Sequence, residues 1–229
     1  MLKPKRKITK KELKQDEFLE FVVRAERFLR RNAKLLAYIG IGVVVVVAIG
    51  LLMNSSRKHA ELQAAAALGA AQSVYDQGQY QQVINQLQPV VQQYAGTKSA
   101  GISVFYIGSA YDRLGNDSTA ARYYQQYLDR YDNDPLLGAS ALASLGMIEA
   151  SRGQYDEAQT HFQQAIRRAP HRFMAHQYSL EAARIAFNAG QMSKARTMLS
   201  ALLGNENLQA GVKTEAQELL TMIDVRAAD

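Results

Sequence analysis

His171 and His176 come nearest to a metal-binding pair in this sequence, and they stand five residues apart. Two imidazoles reach one ion from a single helix face at a spacing of four, as in HExxH, so a spacing of five misses that geometry. With His59 and His161 they read as surface or inter-helix histidines. An acidic cluster, Asp129, Asp132 and Asp134 in YLDRYDNDP, superficially suggests calcium. It lacks the loop glycine and the closing glutamate, and fits a polar helix end before Pro135. The chain has no cysteine, hence no disulfide and no thiolate ligand or nucleophile. GxGxxG, GxxxxGK[ST] and GxSxG are all missing. Asn116-Asp117-Ser118 is a formal glycosylation sequon at a turn and receives no function. No catalytic residue, metal site or cofactor is assigned, and the chain is expected not to be an enzyme.

Few prolines, and Gln- and Ala-rich stretches between periodic apolar positions, point to helix throughout. Charge is uneven along the chain. Residues 1–34 hold 12 of the 27 Lys and Arg but 5 of the 21 Asp and Glu, a local net charge of +7, while residues 54–229 carry a net −1. A nucleic-acid-binding surface needs its positive charge on the folded domain, so nucleic acid is not an expected partner.

Between these regions, residues 35–53 read LLAYIGIGVVVVVAIGLLM without a charge. At about 1.5 Å per residue this covers roughly the 30 Å hydrocarbon core of a bilayer. The run is too long for a signal-peptide apolar region and predicts an uncleaved transmembrane helix. Arg24, Arg27, Arg30, Arg31 and Lys34 precede it, while Arg57 and Lys58 are the nearest cations beyond, which predicts a cytoplasmic N-terminus and a translocated C-terminal domain. Phe18, Phe21, Val22, Ala25, Phe28 and Leu29 recur at helical steps before the span, describing an amphipathic helix that either lies on the inner leaflet or docks on a partner. MLKPKRKITKK ahead of it reads as a solvated basic tail. The expected organisation is a basic cytoplasmic segment over 1–34, a span over 35–53 and a repeat domain over 54–229.

The repeat declares itself in glycines. Gly78, Gly115, Gly153 and Gly190 are 37, 38 and 37 residues apart, each between two helix-like segments, which predicts helix C-caps of positive φ in stacked helical hairpins. Around Gly153, Leu142, Leu145, Gly146 and Glu149 precede, and Tyr155, Ala158, Phe162, Ala165 and Pro170 follow. Gly146 and Ala158 allow close helix approach. This pattern resembles the tetratricopeptide repeat, with Glu149 standing where that family has Tyr. A second repeat carries Ile107, Gly108, Tyr111, Gly115, Ala120 and Tyr124, with Tyr127 at a usually small position. Two more degenerate repeats surround Gly78, where Val83 replaces the family's Ala, and Gly190. The resemblance covers residues 62–205, and residues 212–225 look like a capping helix. The fold expected is all-α: a single N-terminal transmembrane helix, then a tetratricopeptide-like helical-hairpin solenoid of about four repeats.

The resemblance implies a concave peptide-binding groove. Mapped onto this sequence it gives Leu68, Gln72, Tyr75 and Asp76, then Phe105, Ser109, Asp112 and Arg113, then Met147, Ala150 and Ser151, and finally Leu180, Arg184, Phe187 and Asn188. Phe105, Leu180 and Phe187 could equally pack against neighbouring helices. One N-terminal anchor with alanine-rich repeats beyond it is similar to the bacterial ancillary SecYEG translocon subunit family. That similarity implies a scaffold in the bacterial inner membrane with its repeats in the periplasm. The protein partners it implies are polypeptides, the SecYEG translocon or a periplasmic chaperone. A structural adaptor for envelope assembly or cell division is the alternative, and an import receptor with the opposite orientation is a third. The sequence leaves oligomeric state open.

Overall fold

The computed structural model describes residues 10–228, which form ten α-helices and, among the described residues, no strand. The basic stretch 1–9 and the side chain of Phe18 lie outside them. The chain forms two compact units, Met1–Arg57 and Lys58–Asp229.

In the first unit, α1 (Lys10–Arg31) ends where Asn32 donates both its backbone N–H and its side-chain Nδ2 to the Phe28 carbonyl, at 3.0 and 2.9 Å. A side chain competing for the backbone acceptor ends the helix there. Helix α2 (Ala33–Asp76) follows as one element of 44 residues, and its apolar stretch from Ile41 to Met53 is exposed on every face. By length and composition α2 can cross a membrane.

In the second unit the end of α2 pairs with α3 (Tyr80–Gln93), and the pattern recurs as α4 (Lys98–Arg113) with α5 (Asp117–Arg130), α6 (Pro135–Ser151) with α7 (Tyr155–Arg168), and α8 (Arg172–Asn188) with α9 (Met192–Leu203). Helix α10 (Ala210–Ala228) packs on α8 and α9. Each hairpin otherwise touches the next one along, as stacked repeats must when no single hairpin can bury its own apolar face.

All four turn glycines have the expected positive φ, between 73° and 77°. The turns are the same motif repeated. Gly115 N–H donates to Asp112 O and Asn116 N–H to Tyr111 O, both at 2.9 Å. The corresponding pairs at Gly78, Gly153 and Gly190 are made at 2.9–3.2 Å. These bonds satisfy the last carbonyls of the first helix, and only a residue tolerating positive φ can close them.

Between paired helices, small residues set the approach. A Cβ on Gly146 would stand 2.7 Å from the Phe162 ring, so its absence lets α7 seat that ring fully between the helices. Glu149, the departure from the repeat pattern, faces α7 and binds His161 Nδ1 at 2.7 Å. Tyr127, at a position usually small, is buried against Phe105 with ring centroids 5.8 Å apart. The three aspartates before Pro135 divide their work. Asp134 accepts from Leu136 and Leu137 N–H as the N-cap of α6, Asp132 pairs with Arg168 at 2.5 Å, and Asp129 accepts from Gln125. Asn116 of the sequon is the N-cap of α5. Among the described residues no acidic or histidine cluster is arranged to hold a metal.

The C-terminal end is closed by α10, whose Val212, Ala216, Leu219 and Ile223 are buried against Leu180, Leu199 and Leu202. Lys213, Glu215 and Glu218 stay in solvent on its other side.

Candidate interaction groove

The candidate residues sit on the first helices of the hairpins, and their side chains divide into three groups. The first is core. Leu68 is 6% exposed among Ile84, Leu87 and Ile107, and Leu180 is 1% exposed beneath α10. Neither presents a side chain to a ligand, which corrects their assignment to the groove. A helix turns about 100° per residue, so a small error in register exchanges a lining position for a packing one.

The second group ties helices together within and between repeats. The Tyr75 hydroxyl lies 2.6 Å from Ser109 Oγ, and its ring meets Tyr80 and Tyr106 edge-on at 5.2 and 5.4 Å. Tyr124 donates to Asp112 Oδ2 at 3.5 Å, linking the two helices of one hairpin. Phe105 is half-buried and packs on Tyr124 and Tyr127, so it serves mainly as a wedge between the two helices of its own hairpin. Burial raises the Asp112 carboxyl above its ordinary value, with Asp117 adding to the effect and Arg113 and the Tyr124 hydroxyl opposing it. Burial also pushes the Tyr124 hydroxyl up to about 12. Arg113 is exposed, and a hydrogen bond to Tyr75 strengthens its hold on its proton. Gln72 is half-buried on α2 beside this network, and Asp76 is exposed.

The third group surrounds an open depression of about 250 Å³ between α6 and α8. Met147, Ala150 and Ser151 line one wall; Arg184 and Asn188, with Glu181 and Ile185, line the other, and Tyr155 closes it below. Met147 is 50% exposed. Arg184 is held between Glu181 and Glu215, each at 2.9 Å. Phe187 lies outside this depression, packed on the C-terminal core with the Arg226 guanidinium 5.6 Å from its ring centre. Sequence reasoning missed Tyr155, Glu181 and Ile185. Glu181 lies one turn before Arg184 and Ile185 one turn before Asn188, so a helical projection could have found them.

An apolar floor, a soft methionine and a braced Arg–Glu pair can hold a polypeptide by side-chain burial plus charge-assisted hydrogen bonds, and they offer no nucleophile or acid–base pair. The class so defined is a solenoid of stacked helical hairpins, a fold that suggests a protein-interaction scaffold. Tetratricopeptide-repeat family models match residues 103–134 and 149–223, so repeats of that family are present in this chain.

Solved structures agree on the fold. MamA AMB-1 is similar at 14% identity and a TM-score of 0.54, over 73% of this chain and 84% of that one. A kinesin light chain of P. anserina with nearly identical TPR-like repeats is similar at 19% identity and 0.54, over 71% and 93%. BtubC from P. vanneervenii is similar at 14% and 0.53, over 76% and 89%. Identities this low establish the fold alone. No curated protein matches the sequence. Repeat scaffolds of this class are typically not enzymes.

Proposed function

We propose that this chain is a membrane-anchored tetratricopeptide scaffold that holds polypeptides or a chaperone beside the secretion translocon, on the periplasmic side of the bacterial inner membrane. In this reading residues 1–34 are cytoplasmic, 35–53 span the membrane and 54–229 carry the repeats. The observation that carries it is the combination, in one chain, of an apolar helix stretch exposed on every face with an open depression at Met147, Ser151 and Arg184. The charge of +7 before the apolar stretch supports the orientation. Tethering supports the use: confinement to a membrane raises effective concentration, so a shallow site of modest affinity stays occupied. Gln72, Tyr75, Asp112 and Arg113 extend the same face, while Phe105 and Phe187 stiffen it.

The test is photo-cross-linking of the full chain in its native membranes. Probes at Met147 and Asn188 are expected to capture polypeptide, and probes on α5 and α7 at Gln125 and Gln163 are not. Co-purification of translocon subunits is expected with the full chain and lost on removing residues 1–53. Capture of one folded envelope protein by both forms, without translocon subunits, overturns this reading in favour of the structural adaptor.

A further inference from the structure

Helix α1 carries an apolar face that no described residue covers. Phe21, Phe28 and Leu29 are 67%, 60% and 55% exposed, and Val22 and Ala25 lie beside them. At about 100° per residue these five fall within an arc of roughly 120°, and Glu20, Arg24, Glu26, Arg27, Arg30 and Arg31 occupy the remainder with Val23. Arg24 and Arg30 are braced by Glu20 and Glu26 at 2.6 and 2.8 Å, which holds their guanidinium groups along the helix.

We infer that α1 is an interfacial helix that lies on the anionic surface of the membrane, its phenylalanine face among the acyl chains and its arginines on lipid phosphates. The inference rests on the reading of α2 as a span. Two features choose lipid as the occupant. A single residue, Asn32, separates α1 from α2, and the apolar stretch of α2 begins by Leu35, so α1 ends at the level of the headgroups. The charge is complementary as well: the 1–34 segment carries +7, and arginine binds phosphate through a planar fork of donors. A bulky aromatic face bordered by arginines is the composition of helices that lie in the interface plane.

The absence of cysteine makes the test direct, because each introduced thiol is unique. The full chain is reconstituted in vesicles of phosphatidylcholine alone and of phosphatidylcholine with phosphatidylglycerol. A polarity-sensitive dye is placed at Phe28→Cys, Glu26→Cys or Val45→Cys, with iodide on both sides of the bilayer. In anionic vesicles the dye at Phe28→Cys is expected to be blue-shifted and protected from iodide, while that at Glu26→Cys remains quenched. Protection at Phe28→Cys should fall by roughly 25-fold when Arg27→Gln and Arg31→Gln are combined, at about fivefold for each arginine near the surface. Equal quenching at both α1 positions in anionic vesicles overturns the inference while protection at Val45→Cys leaves the span intact. Quenching at Val45→Cys overturns the span itself. Protection at Phe28→Cys confined to native membranes, and absent from both vesicle types, assigns the face to a protein partner instead.

Discussion

Adding a single methyl group at Gly146 and at Gly153 separates two reasons for a glycine. At Gly146 the new Cβ would stand 2.7 and 2.8 Å from two carbons of the Phe162 ring and 3.1 Å from the Ala158 carbonyl oxygen. Optimal carbon contacts are at about 3.5–4.0 Å, so α6 and α7 must part by nearly an ångström or the ring must turn. Over-packing of this kind costs about 1–3 kcal/mol, against which alanine returns roughly 1 kcal/mol of helix propensity. The net for Gly146→Ala is therefore a loss of about 1 kcal/mol. At Gly153 no atom lies within 4 Å of the new Cβ, but φ is +77°, and the cost of about 1–2 kcal/mol is backbone strain alone. The losses are similar and the couplings are not. In a Phe162→Leu background Gly146→Ala should become neutral or stabilising, a coupling of about 1–3 kcal/mol, while Gly153→Ala should cost what it did before. Gly153→Asn, which tolerates left-handed φ, should recover part of the loss. Urea unfolding of the full chain in mild detergent, followed by circular dichroism, reads all of these. An unchanged cost of Gly146→Ala in the Phe162→Leu background would refute the close-approach account, and a harmless Gly153→Ala would refute the turn account.

Other outcomes follow from buried polar groups. Burial pushes the Tyr124 and Tyr127 hydroxyls up to about 12, so the folded chain keeps protons that the unfolded chain loses near pH 10. The stability this gives is complete below pH 10 and is lost as pH climbs toward 12. For Tyr124 it is worth roughly 2–3 kcal/mol at 1.36 kcal/mol per pH unit, measured by alkaline melting alongside phenolate absorbance, which no tryptophan obscures. Asp112 has a raised folded-state value, so its contribution is complete below its unfolded value and falls as pH rises through the folded one. Asp112→Asn is expected to raise the melting temperature at neutral pH and to lose that advantage in acid. Arg168→Ala leaves the half-buried Asp132 without its cation and is expected to cost about 1–2 kcal/mol in urea melts, with part of that recovered by Asp132→Ala in the same chain.

The periodicity was legible because it rests on residues with few substitutes. Positive φ at the turns admits little besides glycine, and the glycines at 78, 115, 153 and 190 mark every hairpin. The apolar stretch was legible for a similar reason, since nothing but length and composition defines it. The depression was harder to read. Leu68 and Leu180 stand ten residues before their turn glycines and are core, whereas Met147 stands six before Gly153 and is exposed, so the two places in the register lie on different faces of the first helix. The contacts joining helices, Tyr75 with Ser109, Glu149 with His161 and Arg184 with Glu215, depend on side-chain reach across a packed interface, which no local pattern encodes.

Helix α10 gives the array a terminus. Its inner face is consumed by Leu180, Leu199 and Leu202, and its outer face is mixed, with Met222 and Val225 exposed among Lys213, Glu215 and Glu218. Lengthening by gene duplication can occur inside the array. The uniform turns make that route open: a copied segment running from one glycine to the next carries a complete second helix, link and first helix. It would enter in register and leave both ends as they were.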